Sequence, residues 1–94
     1  MLFALIAHDK PGGLAKRQAV RPEHLKHLEA LGERVVLAGP FLDDNGDMTG
    51  TFMVIEAESY ADAKSTFDRD PYILEGVFDS VTIKRWNLTI NKTK

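Results

Sequence analysis

Apolar and polar positions along the chain separate into runs with distinct periods. "LFALIA", positions 2–7, is an unbroken apolar run, the pattern of a strand buried on both faces. "HDKPGG" follows as a turn, with proline and glycine as breakers. "LAKRQAV" predicts a short helix. Pro22 predicts the start of a second one, because proline lacks the N–H that a first-turn residue leaves unpaired anyway. That helix is expected to run to about Leu31 and to stop near Gly32. "RVVLAGP" is a short strand closed by Gly39 and Pro40, "FLDDNGDMTG" a loop, and "TFMVIEA" a strand. Ser59 is placed to cap the next helix, with Asp62 as a weaker capping partner. That helix carries Tyr60, Ala63 and Phe67 on one side and stops before Pro71. "PYILEGVF" reads as a turn or short helical piece, "DSVTIKRWNL" as the last strand and "TINKTK" as a polar tail.

The resulting order is β-α-β-β-α-β in a single domain over residues 1–94. It predicts an α+β, ferredoxin-like antiparallel sheet with the helices on one face. The opposite face also needs a cover, because the first strand is apolar in both phases. In addition, Phe52 and Val54 alternate with Met53, and Trp86 is out of phase with Val81 and Ile83. A second copy of the chain is the simplest cover, so a homodimer is expected.

Composition narrows the class. The 94 residues are 44% hydrophobic and 28% charged, with formal net charge −2, as in an ordinary globular chain. No basic block is present, which argues against nucleic-acid binding. There is no cysteine, so disulfides, thiolate chemistry and Cys-based metal sites are excluded. The first apolar run is too short for a signal-peptide core, and no stretch is long enough to span a membrane. A cytoplasmic protein without membrane partners is expected. "NLT" and "NKT" match the glycosylation pattern but are read as chance in that setting.

The candidate chemistry starts with a histidine inside an apolar stripe. With Leu25 at zero and roughly 100° per residue, Leu28 falls near 300°, Leu31 near 240° and His24 near 260°. One account is a partly buried structural histidine. The other is a general base or acid, which needs a partner to fix its tautomer. Asp70 is the natural partner: it continues the face of Ala63 and Phe67 if that helix reaches so far, and it otherwise ends the helix or caps the turn at Pro71 and Tyr72. His27 lies at the flank of the stripe, and His8 at the end of the first strand is a weaker second candidate. The acidic "DDNGD" fails an EF-hand spacing, since position six from Asp43 is Met48 and position twelve is Val54. His24 and His27 lack an evident third ligand, so no metal site is expected. The glycines fit neither a P-loop nor a dinucleotide fingerprint.

Taken in order, "MLFALIAHDKPGGLAKR", "VRPEHLKHL", "LAGP", "TGTFMVIE", "DPYILEGVF" and "VTIKRW" make the chain resemble the YCII-related (YciI-like) proteins over nearly its whole length. The resemblance implies a small dimeric ferredoxin-like fold and a pocket with a His–Asp pair, here His24 in "RPEHL" and Asp70 in "DPY". One such relative is a dehydrochlorinase of a chlorinated hydroxyhydroquinone. The expected function is a cofactor-free enzyme in which His24 is a general base oriented by Asp70. It would act on a small cyclic or phenolic molecule by lyase-like or isomerase-like chemistry, with Arg21, Thr51 and Tyr72 contacting the substrate. The alternative is a non-catalytic dimer that binds a small ligand in the same pocket. A muconolactone-isomerase-like activity rests on fold analogy alone.

Overall fold

The computed structural model describes residues 1–93; Lys94, the last residue of the polar tail, lies outside them. Strand β1 (Leu2–Asp9) leads into helix α1 (Leu14–Leu31), a 3-10 turn (Gly32–Arg34) and strand β2 (Val35–Leu42). Strand β3 (Met48–Glu56), helix α2 (Tyr60–Asp68), the short helix α3 (Pro71–Leu74) and strand β4 (Phe78–Trp86) follow. The sheet order is β2-β3-β1-β4 with antiparallel neighbours throughout, the ferredoxin-like arrangement. No described helix is long and apolar enough to cross a membrane.

The pleat sends alternate residues to opposite faces. Phe3, Leu5 and Ala7 of β1 and Met53 and Ile55 of β3 form one buried layer with Ala63 and Phe67 of α2; Leu28 of α1 and Ile73 of α3 pack against it. The other phase of β1 and β3 places Ala4 opposite Val54 and Ile6 opposite Phe52. Ala4 and Val54 are buried there, while Ile6 and Phe52 are only half covered. Phe52 meets Trp86 edge-on, and Phe41 lies between Phe52 and a stacked His8, so an aromatic row crosses this face.

Two expectations are corrected. The first concerns Pro22, which does not start a helix: α1 is continuous and Pro22 lies inside it. Pro22 cannot donate to the carbonyl of Gln18, but both residues are exposed, so that carbonyl can turn to water instead. Packing anchors the helix on both sides of Pro22, since Arg17 and His24 are its buried residues. The second concerns the acidic loop, which is shorter than expected: β2 runs through Phe41 and Leu42, and β3 begins at Met48. Its turn is closed by Asp43 Oδ1, which accepts from the backbone N–H groups of Asn45 and Asp47, with Gly46 at φ 83°. Tyr60 is exposed, unlike Ala63 and Phe67, and meets Phe3 of the buried layer in an edge geometry. Ser59 does cap α2, accepting from Asp62 N–H.

Candidate functional site

The tripeptide Asp70-Pro71-Tyr72 is a helix-start motif. Residue 70 precedes a proline and is therefore extended (φ −65°, ψ 129°), Pro71 occupies the first helical turn, and Asp70 Oδ1 accepts from the Tyr72 backbone N–H at 2.9 Å. Asp70 thus caps α3 rather than ending α2, which stops at Asp68. The cap fixes the carboxylate, and the Tyr72 side chain two residues on projects beside it.

His24 comes from α1, which packs against α3. Its Nδ1 lies 2.9 Å from Asp70 Oδ1 and 2.8 Å from Oδ2. Both residues are buried, His24 at 6% exposure and Asp70 at 2%. The Tyr72 ring stacks on the imidazole, with centroids 4.0 Å apart and planes 17° from parallel. A carboxylate at Nδ1 sets the neutral tautomer with its proton there. Nε2 is then the free, basic nitrogen, and it has no protein partner among the described residues.

A cavity of ≈100 Å³ opens beside this pair, between α1 and the β2–β3 edge. His24, Arg21, Thr51 and Tyr72 line it, so the structure gathers all the expected contact residues. Leu28 also lines it, and Leu25, taken as part of the buried stripe, is 45% exposed at its margin. Asp70 does not line it and stands behind the imidazole.

Arg17 completes the site and escaped the sequence reading. It is 2% exposed and lies seven residues before His24, two turns up the same helix face. Its Nε donates to Asp9 Oδ2 at 2.8 Å, its Nη2 to Thr51 Oγ1, and its Nη1 to Tyr72 Oη at 3.4 Å. The guanidinium lies 4.5 Å from the Tyr72 ring centroid. The missed signal was the seven-residue spacing, which was lost once the helix was broken at Pro22. Burial pushes the Tyr72 phenol above its usual range, against the pull of the Arg17 and Arg21 guanidiniums.

The other histidines lie elsewhere. His8 is exposed on the helix-free sheet face, stacked on Phe41. His27 is half-buried and its Nε2 lacks a hydrogen-bond partner among the described residues. No group of three or more metal-ligating side chains forms among the described residues.

Comparisons with known proteins place the chain in a family. The YCII-related domain matches residues 1–87. Protein YciI of Escherichia coli O6:H1 is 38% identical over 92 residues, covering 89% of this chain and 94% of that one. The 5-chloro-2-hydroxyhydroquinone dehydrochlorinase from Burkholderia phenoliruptrix AC1100, solved with 2,5-dihydroxybenzoquinone, is 36% identical. That alignment covers 93% of this chain and 94% of that one, with a TM-score of 0.85. Protein Atu4242 from Agrobacterium tumefaciens, at 21% identity, 89% coverage of each chain and a TM-score of 0.52, shares the fold. A domain match along almost the entire chain, joined to relatives above one-third identity over nearly their whole lengths, settles the family: the chain belongs to the YCII-related proteins.

Proposed function

We propose that the chain is a small enzyme that works without a cofactor on a small cyclic or phenolic molecule. His24 is its general acid/base, and Asp70 holds the imidazole. The observation that carries this reading is the buried contact of His24 Nδ1 with both Asp70 oxygens, beside a cavity lined by the same ring. Nε2 takes a proton from the bound molecule, and Asp70 stabilises the imidazolium that forms. In an elimination of HCl the C–Cl bond breaks, its electron pair leaves with chloride and the proton on Nε2 passes to solvent; in an isomerisation the same nitrogen returns the proton at another atom. Stacking on Tyr72 keeps the ring plane fixed through the transfer. Arg21, Thr51 and Tyr72 contact the substrate.

The dehydrochlorinase relative supports the substrate class, since its bound molecule is a single oxygenated ring. In its native assembly the chain is a cytoplasmic homodimer, joined through the sheet face that carries Phe41, Phe52 and Trp86. The test is chloride release from 5-chloro-2-hydroxyhydroquinone, run beside a panel of unchlorinated hydroxyquinones and lactones read for isomerisation. Turnover of one panel member that is lost in His24→Ala supports the reading. Tight binding of panel members with no turnover of any favours a ligand-binding protein instead.

A further inference from the structure

The charged groups around the cavity are arranged with one sign inward. Arg17 and Arg21 line it, with the neutral His24 ring and the hydroxyl-bearing Thr51 and Tyr72, and no carboxylate does. The acids that balance Arg17 and His24 stand outside the lining: Asp70 behind the imidazole, and Asp9 on the wall of a separate depression beside the turn before α1. Arg21 has no ion-pair partner among the described residues. Arg17 adds a second effect. It donates to both Thr51 Oγ1 and Tyr72 Oη, so each oxygen is used as an acceptor, and neither hydroxyl donates to a protein group among the described residues. Both hydroxyl protons therefore remain for a bound acceptor. Burial keeps the Tyr72 phenol protonated, hence a donor, near neutral pH.

We propose that the cavity selects a single-ring molecule carrying an ionised oxygen, a phenolate or enolate, with Arg21 as the residue that discriminates for the anion. Arg17 is a positioning residue that turns Thr51 and Tyr72 into donors toward that oxygen. This rests on reading the cavity as the substrate site, and it names the charge state in which the substrate is held. At ≈100 Å³ the cavity is about two-thirds of the roughly 150 Å³ that encloses a benzene, so it holds at most one ring, with part of that ring toward solvent. The exposed Arg21 and Leu25 leave room for a substituent toward solvent.

The test uses 4-nitrophenol, whose phenolate absorbs in the visible while its neutral form does not. Mixed with the protein about one unit below the probe's own pKa, the bound probe is expected to be about half phenolate against roughly a tenth for the free probe, its pKa lowered by about one unit, a roughly tenfold preference for the anion. Arg21→Ala, at an exposed position, is expected to return the bound pKa to the free value. Arg17→Lys keeps the charge, loses the planar fork and is expected to lose several-fold of the preference. The proposal is overturned by absence of binding, by equal binding of both forms, or by a shift that survives Arg21→Ala. A wild-type shift without turnover of any substrate leaves this inference standing and removes only the catalytic reading.

Discussion

His24 and Asp70, 46 positions apart in sequence, meet as a buried imidazole whose Nδ1 faces both oxygens of one carboxylate at 2.9 and 2.8 Å. The carboxylate is already held by the Tyr72 backbone N–H, so it does not depend on the imidazole for its position. His24→Ala is therefore expected to fold, with a loss of about 1–3 kcal/mol for the hydrogen bond to a charged group, and to lose turnover. Asp70→Asn keeps an oxygen for the Tyr72 N–H but cannot stabilise the imidazolium, so kcat is expected to fall about 10²–10⁴-fold. Affinity for substrate should change much less than kcat in both variants. Steady-state kinetics with urea denaturation checks both effects. Unchanged turnover per folded molecule in His24→Ala would mean that the ring serves packing alone.

Arg17 and Asp9 form a buried ion pair, with side chains 2% and 6% exposed. Asp9 Oδ1 already lacks a partner among the described residues. Removing the guanidinium leaves that carboxylate buried and uncompensated, so Arg17→Met is expected to destabilise by about 3–5 kcal/mol. Adding Asp9→Asn removes the stranded charge and should recover part of the loss, a coupling that a double-mutant cycle in urea measures. Strict additivity of the two changes would contradict it.

The element order could be read from the sequence because the apolar periods change cleanly from the run 2–7 to the helix around His24 and back. His24 was legible because its angle sets it among Leu28 and Leu31. For Asp70 the sequence offers two local routes, an extended α2 face or a cap on the turn at Pro71 and Tyr72, and its position is set by the second. Arg17 was not legible for two physical reasons. Proline was given its usual helix-starting role, which broke the register that joins Arg17 to His24. A buried arginine also needs a buried acid, and its acid, Asp9, lies at the end of β1, a contact that no local pattern announces.

Tyr72 gives a pH dependence with a definite sign. Burial raises its phenol pKa above the ordinary 10.0, so the folded state holds the proton more tightly than the unfolded chain. That contribution is fully present below pH 10.0 and is lost as pH rises from there through the folded-state value. Urea midpoints measured through this alkaline range should fall in the wild type and fall less steeply in Tyr72→Phe. Parallel curves would show that other groups account for the alkaline loss.

Gly50 sits where β1, β2 and β3 come together, opposite His8 and Phe41. A Cβ there would stand 2.3 Å from the Ala7 carbonyl oxygen and 3.0 Å from the Phe41 ring. The backbone oxygen cannot move without opening the β1–β3 ladder, so Gly50→Ala is expected to cost about 3 kcal/mol or more. Gly39, in the neighbouring strand, has nothing within 4 Å of its added Cβ, and Gly39→Ala should stay within about 0.5 kcal/mol of wild type. Thermal or urea unfolding of the pair distinguishes close approach from a general intolerance of these strands to alanine.

The proposed dimer can be followed through a single reporter. Trp86 is the only tryptophan, and it meets Phe52 edge-on at 6.4 Å on the sheet face without helices. A second copy laid on that face would remove the indole from water along with Phe52 and Phe41, the aromatic content expected at the core of a stable interface. Dilution from micromolar concentration is then expected to shift the emission to the red in step with a fall in sedimentation mass from dimer to monomer. Phe52→Asp puts a charge at the centre of the same face and should give a monomer at all concentrations while the helix-side layer of Phe3, Leu5, Met53 and Ile55 is left intact. Emission and mass that are both independent of concentration, at the monomer value, would remove the dimer, and the half-covered Ile6 and Phe52 would then face water in the native state.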